Sequence, residues 1–284
     1  MKLATIRTSD GLCAARVEGD ELVLLPFGDV GELIASGEDW ATRAAAHDTG
    51  PRVTLAEADF APLTPAPEKV FCVGLNYASH AAEANLPLPQ YPTLFAKFAR
   101  SLIGANDDLA IPSESDKVDW EIELGVVIAR HARHVSESDA LDYVAGYTIV
   151  NDVSMRDWQL RTSQFLAGKA FEQSTPVGPF MVTPDEIDHA RSLRMELSVD
   201  GETKQSSNTD DLVFSVPQII SYISTIITLA PGDLIATGTP AGVGHVADPP
   251  AYLTPGSRVS CSIEGLGVQS TQCVAAAHDT LQAV

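Results

Sequence analysis

The sequence predicts an α+β, strand-rich fold: a mixed β-roll or barrel over residues 67–284, preceded by a small α+β module over residues 1–66. Three observations lead there. Strand-like runs outnumber helical patterns after residue 67 and do not alternate with them regularly, which disfavours a doubly wound parallel sheet. The segment Ala61-Pro62-Leu63-Thr64-Pro65-Ala66-Pro67 holds the chain extended and removes ladder donors, so it reads as a boundary. The composition, 45% hydrophobic and 20% charged over 284 residues, is that of a folded soluble protein and excludes disordered, collagenous and coiled-coil classes.

In order along the chain, residues 2–7 and 12–25 read as short strands broken at Asp10-Gly11 and Gly19-Asp20, followed by helical pieces near 29–36 and 39–47. Beyond the proline segment, strands are expected at 70–73, 120–129, 145–150, 193–199, 233–237 and 258–263. Turns fall at Asp200-Gly201, Pro231-Gly232 and Pro255-Gly256. Helices are expected at 76–85, 136–142, 154–166 and 216–229, the last stopping before Pro231. No internal repeat or low-complexity tract is visible.

Eighteen basic against 38 acidic residues give a net charge of −20, so the average surface repels nucleic acid and anionic membranes. A small anionic substrate then requires a local positive centre. The four cysteines, Cys13, Cys72, Cys261 and Cys273, form no C-x-x-C pair and are expected reduced and buried. The N-terminus has no long apolar run, and the longest apolar stretch, near 219–230, is interrupted by Ser221, Ser224, Thr225 and Thr228. A cytoplasmic location is expected.

The most informative segment is Asp119-Trp120-Glu121-Ile122-Glu123-Leu124-Gly125-Val126-Val127-Ile128. Alternation in a strand puts Glu121 and Glu123 on one face, with Ile122, Leu124 and Val126 on the other. On a solvent face the pair is an ordinary polar edge. In a buried strand, as the apolar run suggests, two unpaired like charges are costly and call for something positive opposite. A third acid, Asp152, ends the run Tyr147-Thr148-Ile149-Val150-Asn151; alone it reads as a helix cap or Asx turn. Together, three carboxylates without His or Cys suit a hard octahedral cation such as Mg²⁺ or Mn²⁺.

Several motifs occur in a fixed order: Asp119-x-Glu121-x-Glu123-Leu124; Gly146-Tyr147-x-x-x-Asn151-Asp152-Val153-Ser154-x-Arg156-Asp157; Gly168-Lys169-x-Phe171; Pro176-x-Gly178-Pro179; and Gly232-Asp233-x-Ile235-x-Thr237-Gly238-Thr239-Pro240-x-Gly242-Val243-Gly244. Over roughly residues 68–276 the chain strongly resembles the fumarylacetoacetate hydrolase superfamily, and its N-terminal module resembles the accessory domain of bacterial members. The resemblance implies that Glu121, Glu123 and Asp152 bind Mg²⁺ or Mn²⁺, the same residues that strand geometry selects. It also implies that Lys169 is a buried catalytic lysine that stays protonated beside the acids and neutralises substrate oxygens. His80 and Glu83, at i and i+3, resemble the His-x-x-Glu of acylpyruvase-like members, where a lid helix brings an imidazole to the site and the glutamate orients it to activate water. Arg156, Gln159 and Thr239 resemble substrate-contacting positions. Read alone, Arg156 is equally a structural partner of Asp157 or Asp152.

Two stretches depart from the family pattern. Lys97 resembles a lysine that precedes a proline pair, but Phe98-Ala99 stand there, and Glu172-Gln173-Ser174 replaces a commoner Asp-Thr-Phe. His131 and His134 flank Arg133 in an expected solvated turn. The glycines of 238–244 lack the Walker lysine, and there is no G-x-S-x-G elbow. The expected function is divalent-metal-dependent hydrolysis of the C–C bond of an acylpyruvate-type 2-oxo acid such as fumarylpyruvate, in aromatic catabolism. The alternatives on the same site are isomerisation of a 2-hydroxyhepta-2,4-diene-1,7-dioate or 5-carboxymethyl-2-hydroxymuconate, and oxaloacetate decarboxylation. Outside enzymes, the alternative is a non-catalytic, metal-stabilised binding protein. The resemblance further implies a homodimer.

Overall fold

The computed structural model describes residues 1–276. Its centre is an 11-stranded sheet whose hydrogen-bonded order runs Arg52–Thr54, Glu21–Leu24, Gly11–Glu18, Lys2–Thr8, Met181–Val182, Val144–Asn151, Ile122–Ile128, Leu234–Ala236, Val70–Gly74 and Thr93–Lys97, with Asp59–Phe60 beside Lys2–Thr8. A five-stranded sheet, Glu202–Asn208, Arg194–Val199, Arg258–Ile263, Gly267–Ala275 and Leu109–Ile111, packs against it. The architecture is α+β and strand-rich, as expected from the sequence.

Alternation along Ile122–Ile128 decides how the layers join. Ile122, Leu124, Val126 and Ile128 enter one core with Met195, Leu197, Val259 and Cys261 of the five-stranded sheet. Val127, on the opposite face, packs with Ala236, Cys72 and the N-terminal helix residues Val30, Leu33 and Ile34. Every residue of this strand is buried, so each large aliphatic contributes about 1.5–3 kcal/mol to holding the layers together. With both faces covered, Glu123 is buried.

The first 66 residues fold onto the same sheet. Lys2 and Leu3 pair with Val182 and Met181, and Leu3, Leu33 and Trp40 share a core with Val127 and Leu234. Asp29 caps the helix Val30–Ala35 by accepting from the Glu32 N–H at 2.8 Å.

Some expected elements differ. The helix expected at 154–166 is a short strand, Ser154–Met155, and a single turn, Arg156–Gln159; a second short helix, Leu166–Lys169, follows. The helix expected at 136–142 is a 3₁₀ turn, Ala140–Tyr143. The helix expected to reach 229 covers Val216–Ile226 and then becomes extended, where β-branched Ile227 and Thr228 favour that conformation. The strands Thr93–Lys97, Glu202–Asn208 and Gly267–Ala275 escaped the sequence reading. His131 and His134 are exposed on a turn, and Cys13 is half-buried where the other cysteines are buried. Among the described residues no helix is long and apolar enough to cross a membrane.

Candidate active site

The site forms where two central strands end side by side. Ile122 pairs with Asn151, and the Asp152 N–H donates to the Glu121 carbonyl at 2.9 Å, so Asp152 arrives beside Glu121. Glu123 lies one residue beyond Ile122, its side chain on the face opposite that of Ile122. All three acids are buried, and each offers a carboxylate oxygen within 4.8 Å of the others.

Three buried cations surround them. Lys169 Nζ donates to Glu121 Oε2 at 2.6 Å and to Asp152 Oδ2 at 2.8 Å. Lys97 Nζ lies 2.9 Å from Asp152 Oδ1 and donates to the Thr175 hydroxyl and the Val153 carbonyl. Arg156 pairs with Asp119 Oδ2 at 2.8 Å and Glu121 Oε1 at 2.6 Å, and donates to Gln159 Oε1 at 2.9 Å. The partners of Arg156 are therefore Asp119 and Glu121, not Asp157 or Asp152. Asp119 also accepts from the backbone N–H groups of Trp120, Gly244 and His245.

Glu123 stands apart: its hydrogen-bond donor is the Gly238 N–H at 2.8 Å, and it has no ion pair among the described residues. Burial, then the carboxylates of Asp152 and Glu121, push its carboxyl well above the usual range. Glu121 is the converse. Burial would raise it, but Lys169 and Arg156 outweigh that and hold it down at about 2. Burial likewise opposes the charge on Lys169, and Asp152 and Glu121 overcome it to keep the ammonium protonated. The cluster thus holds four carboxylates, counting Asp119, against three cations. A divalent ion would neutralise Glu123 and turn the local balance positive, and an all-oxygen donor set suits Mg²⁺ or Mn²⁺. The residues fit such an ion.

His80 and Glu83 lie on the helix Ala78–Glu83, which closes over the site. Asn76 anchors its approach by donating to the Thr237 carbonyl and accepting from the Phe214 N–H, each at 2.7 Å. Asp211 Oδ2 accepts from the Ser79 N–H and hydroxyl at 3.1 and 2.6 Å, holding the first turn. At the other end both Glu83 oxygens accept from the Gly242 N–H, at 3.0 and 3.1 Å. His80 Nδ1 lies 3.5 Å from Glu83 Oε2 and makes no hydrogen bond among the described residues. The loop that receives Glu83 needs its glycines. Gly242 has φ +101°, and a Cβ there would meet the Lys204 carbonyl oxygen at 2.0 Å; Gly238, at φ +106°, would meet Val73 O at 2.9 Å.

A cavity of about 170 Å³ opens between this helix and the acids. His80, Glu121, Glu123, Arg156, Gln159, Lys169 and Thr239 all line it, so the expected site residues converge except Glu83, which bonds the Gly242 N–H, and Asp152, which pairs with Lys169 and Lys97. Thr239 presents a hydroxyl fixed by Gln205 Nε2 at 2.8 Å. Four participants were not assigned from sequence: Lys97, Asp119, Asp211 and His245. Asp119 carried a signal, an acid two residues before Glu121 in the same buried run. Asp233, by contrast, is structural; it pairs with Lys69 and accepts from the Ala230 N–H.

Residues 69–274 match the family described as fumarylacetoacetate (FAA) hydrolase C-terminal. The chain belongs to this family. Members of this family are enzymes, and three similar proteins span its chemistry. A mitochondrial oxaloacetate tautomerase of Rattus norvegicus is 47% identical over 209 residues, 73% of this chain and 66% of that protein. The chain thus matches just under two thirds of that relative's length. A 5-carboxymethyl-2-hydroxymuconate delta-isomerase from Mycobacterium smegmatis shares the fold with a TM-score of 0.80 at 31% identity, covering 97% of this chain and 100% of that one. A maleylpyruvate hydrolase from Sphingobium sp. SYK-6, solved with manganese(II) and pyruvate, superposes with a TM-score of 0.81 at 29% identity, covering 98% of this chain and 100% of that one.

Proposed function

We propose that this family member is a Mg²⁺- or Mn²⁺-dependent enzyme that interconverts the keto and enol forms of a small 2-oxo dicarboxylic acid of the oxaloacetate class. The observation that carries this reading is the state of His80: an imidazole facing the acid cluster, with Glu83 committed to a backbone amide. Moving a proton between C3 and the 2-oxo oxygen requires one acid–base group and no activated water. The similarity to an oxaloacetate tautomerase supports the same choice.

Glu121, Glu123 and Asp152 would hold the divalent ion, which would supply Lewis acidity for the enolate. Lys169 holds Glu121 and Asp152 in place for it through ion pairs at 2.6 and 2.8 Å. Gln159 and Thr239 orient the substrate, and the closed helix excludes water. His80 takes a proton from C3 and returns one at oxygen, so atoms and charge balance without a co-reactant.

The test is the rate of enol–keto conversion of oxaloacetate, followed by ultraviolet absorbance with each metal. Catalysis supports the reading; a rate equal to buffer rejects it. His80→Ala is expected to slow conversion by about 10²-fold or more while leaving Mg²⁺ affinity unchanged by calorimetry. Glu83→Gln is expected to raise KM roughly tenfold with a smaller change in kcat, because it loosens the helix and leaves the imidazole present. A fall confined to kcat would instead assign Glu83 to the proton transfer.

The second reading is the C–C hydrolysis of an acylpyruvate such as fumarylpyruvate, supported by the neighbour solved with manganese and pyruvate. It requires His80 to turn onto Glu83 and activate water. Cleavage of fumarylpyruvate without effect on oxaloacetate would favour it.

A further inference from the structure

Every cation of the site already has anionic partners. Lys169 serves Glu121 and Asp152, Lys97 serves Asp152, and Arg156 serves Asp119 and Glu121. A substrate with a carboxylate at each end therefore needs another donor for the end away from the metal ligands. Leu86, Leu160, Phe165 and Val246 line the cavity but offer a carboxylate nothing. Gln159 and Thr239 belong to the inner end, the first bonded to Arg156 and the second next to Gly238, whose amide binds Glu123.

His245 remains. It lines the same cavity, directly after the glycine loop, and its backbone N–H donates to Asp119 Oδ2 at 3.0 Å. Its ring Nδ1 lies 2.9 Å from the Tyr252 hydroxyl, and its Nε2 has no hydrogen bond among the described residues. With the Tyr252 hydroxyl donating to Nδ1, the neutral ring carries its hydrogen on Nε2. Asp119 thereby ties Arg156 and the backbone of His245 to one carboxylate oxygen, which fixes where the His245 main chain sits relative to Arg156.

We propose that His245, oriented by Tyr252, holds the distal carboxylate of a dicarboxylic 2-oxo acid and so sets the substrate class of this site. The inference rests on the function proposed above. It predicts that a distal carboxylate strengthens binding whether or not turnover occurs.

The test uses unreactive reduced analogues on the Mg²⁺-loaded protein: malate, which has the distal carboxylate, and lactate, which lacks it. Calorimetry should show malate binding about tenfold more tightly than lactate to the wild type. In His245→Val that preference should vanish with lactate affinity unchanged, and Tyr252→Phe should reduce it in part. His245→Gln, which keeps a donor, should restore some of it. A malate preference that survives in His245→Val overturns the proposal, as does an equal loss for both ligands. A wild type that binds both alike also overturns it. Oxaloacetate conversion by the wild type reads the proposed function separately, so a tautomerase lacking this preference would lose only the role of His245.

Discussion

Glu123→Gln is expected to abolish divalent-cation binding and lower turnover by at least about 10³-fold, yet to leave the metal-free fold as stable as the wild type or more so. The reason lies in its surroundings: burial and two other carboxylates outweigh the nearby Lys169 ammonium and one backbone amide. Its folded pKa is raised, whereas the unfolded chain releases the proton near pH 4.3. The group's contribution to stability is therefore full below that pH and is lost as pH rises toward the folded value. Glutamine cannot ionise and escapes the loss. Thermal unfolding of the metal-free proteins at about pH 4 and about pH 8 should show the variant declining less. Mg²⁺ should raise the melting temperature of the wild type alone. A variant that unfolds early without metal, or that still gains stability from Mg²⁺, contradicts this account.

Lys169→Met should destabilise the metal-free protein by about 3–5 kcal/mol at neutral pH, since it leaves Glu121 and Asp152 buried without their shared ammonium. Turnover should fall by at least about 10²-fold. The sign of the pH effect is opposite to that of Glu123. Burial works against the Glu121 charge, but Lys169 and Arg156 hold its pKa at about 2, so its stabilisation is present above the unfolded value near 4.3 and lost as pH falls toward 2. Wild type and variant should therefore differ most at pH 7 and converge toward pH 2 in urea unfolding. A difference below about 1 kcal/mol at pH 7 would show that Lys169 does not carry this role.

The acid cluster was legible because strand alternation is strictly periodic. Glu121, Glu123 and the abrupt end of the next strand at Asp152 suffice to bring three carboxylates together, even though the strand begins at Ile122 and both its faces are buried. What stayed hidden depends on contacts distant in sequence. Lys97 meets Asp152 across 55 positions, and its local context departs from the family pattern. Asp211 reaches Ser79 from the 3₁₀ turn Thr209–Asp211, 132 residues away. The helix expected over 154–166 failed at its start because Ser154 and Met155 pair with Asp119 and Val118 as a strand, a tertiary pairing that overrides a local periodicity. The i, i+3 spacing of His80 and Glu83 correctly put them on one helix but could not foretell that the glutamate turns to the loop.

The Glu83 end of the closing helix is fastened to a peptide nitrogen, that of Gly242, and not to a side chain. That nitrogen belongs to the main chain, so substitution at Val243 or His245 leaves the fastening intact while changing what the pocket presents to its guest. Closure and discrimination are thereby written in separate parts of the same short loop, which lets selection retune one without dismantling the other.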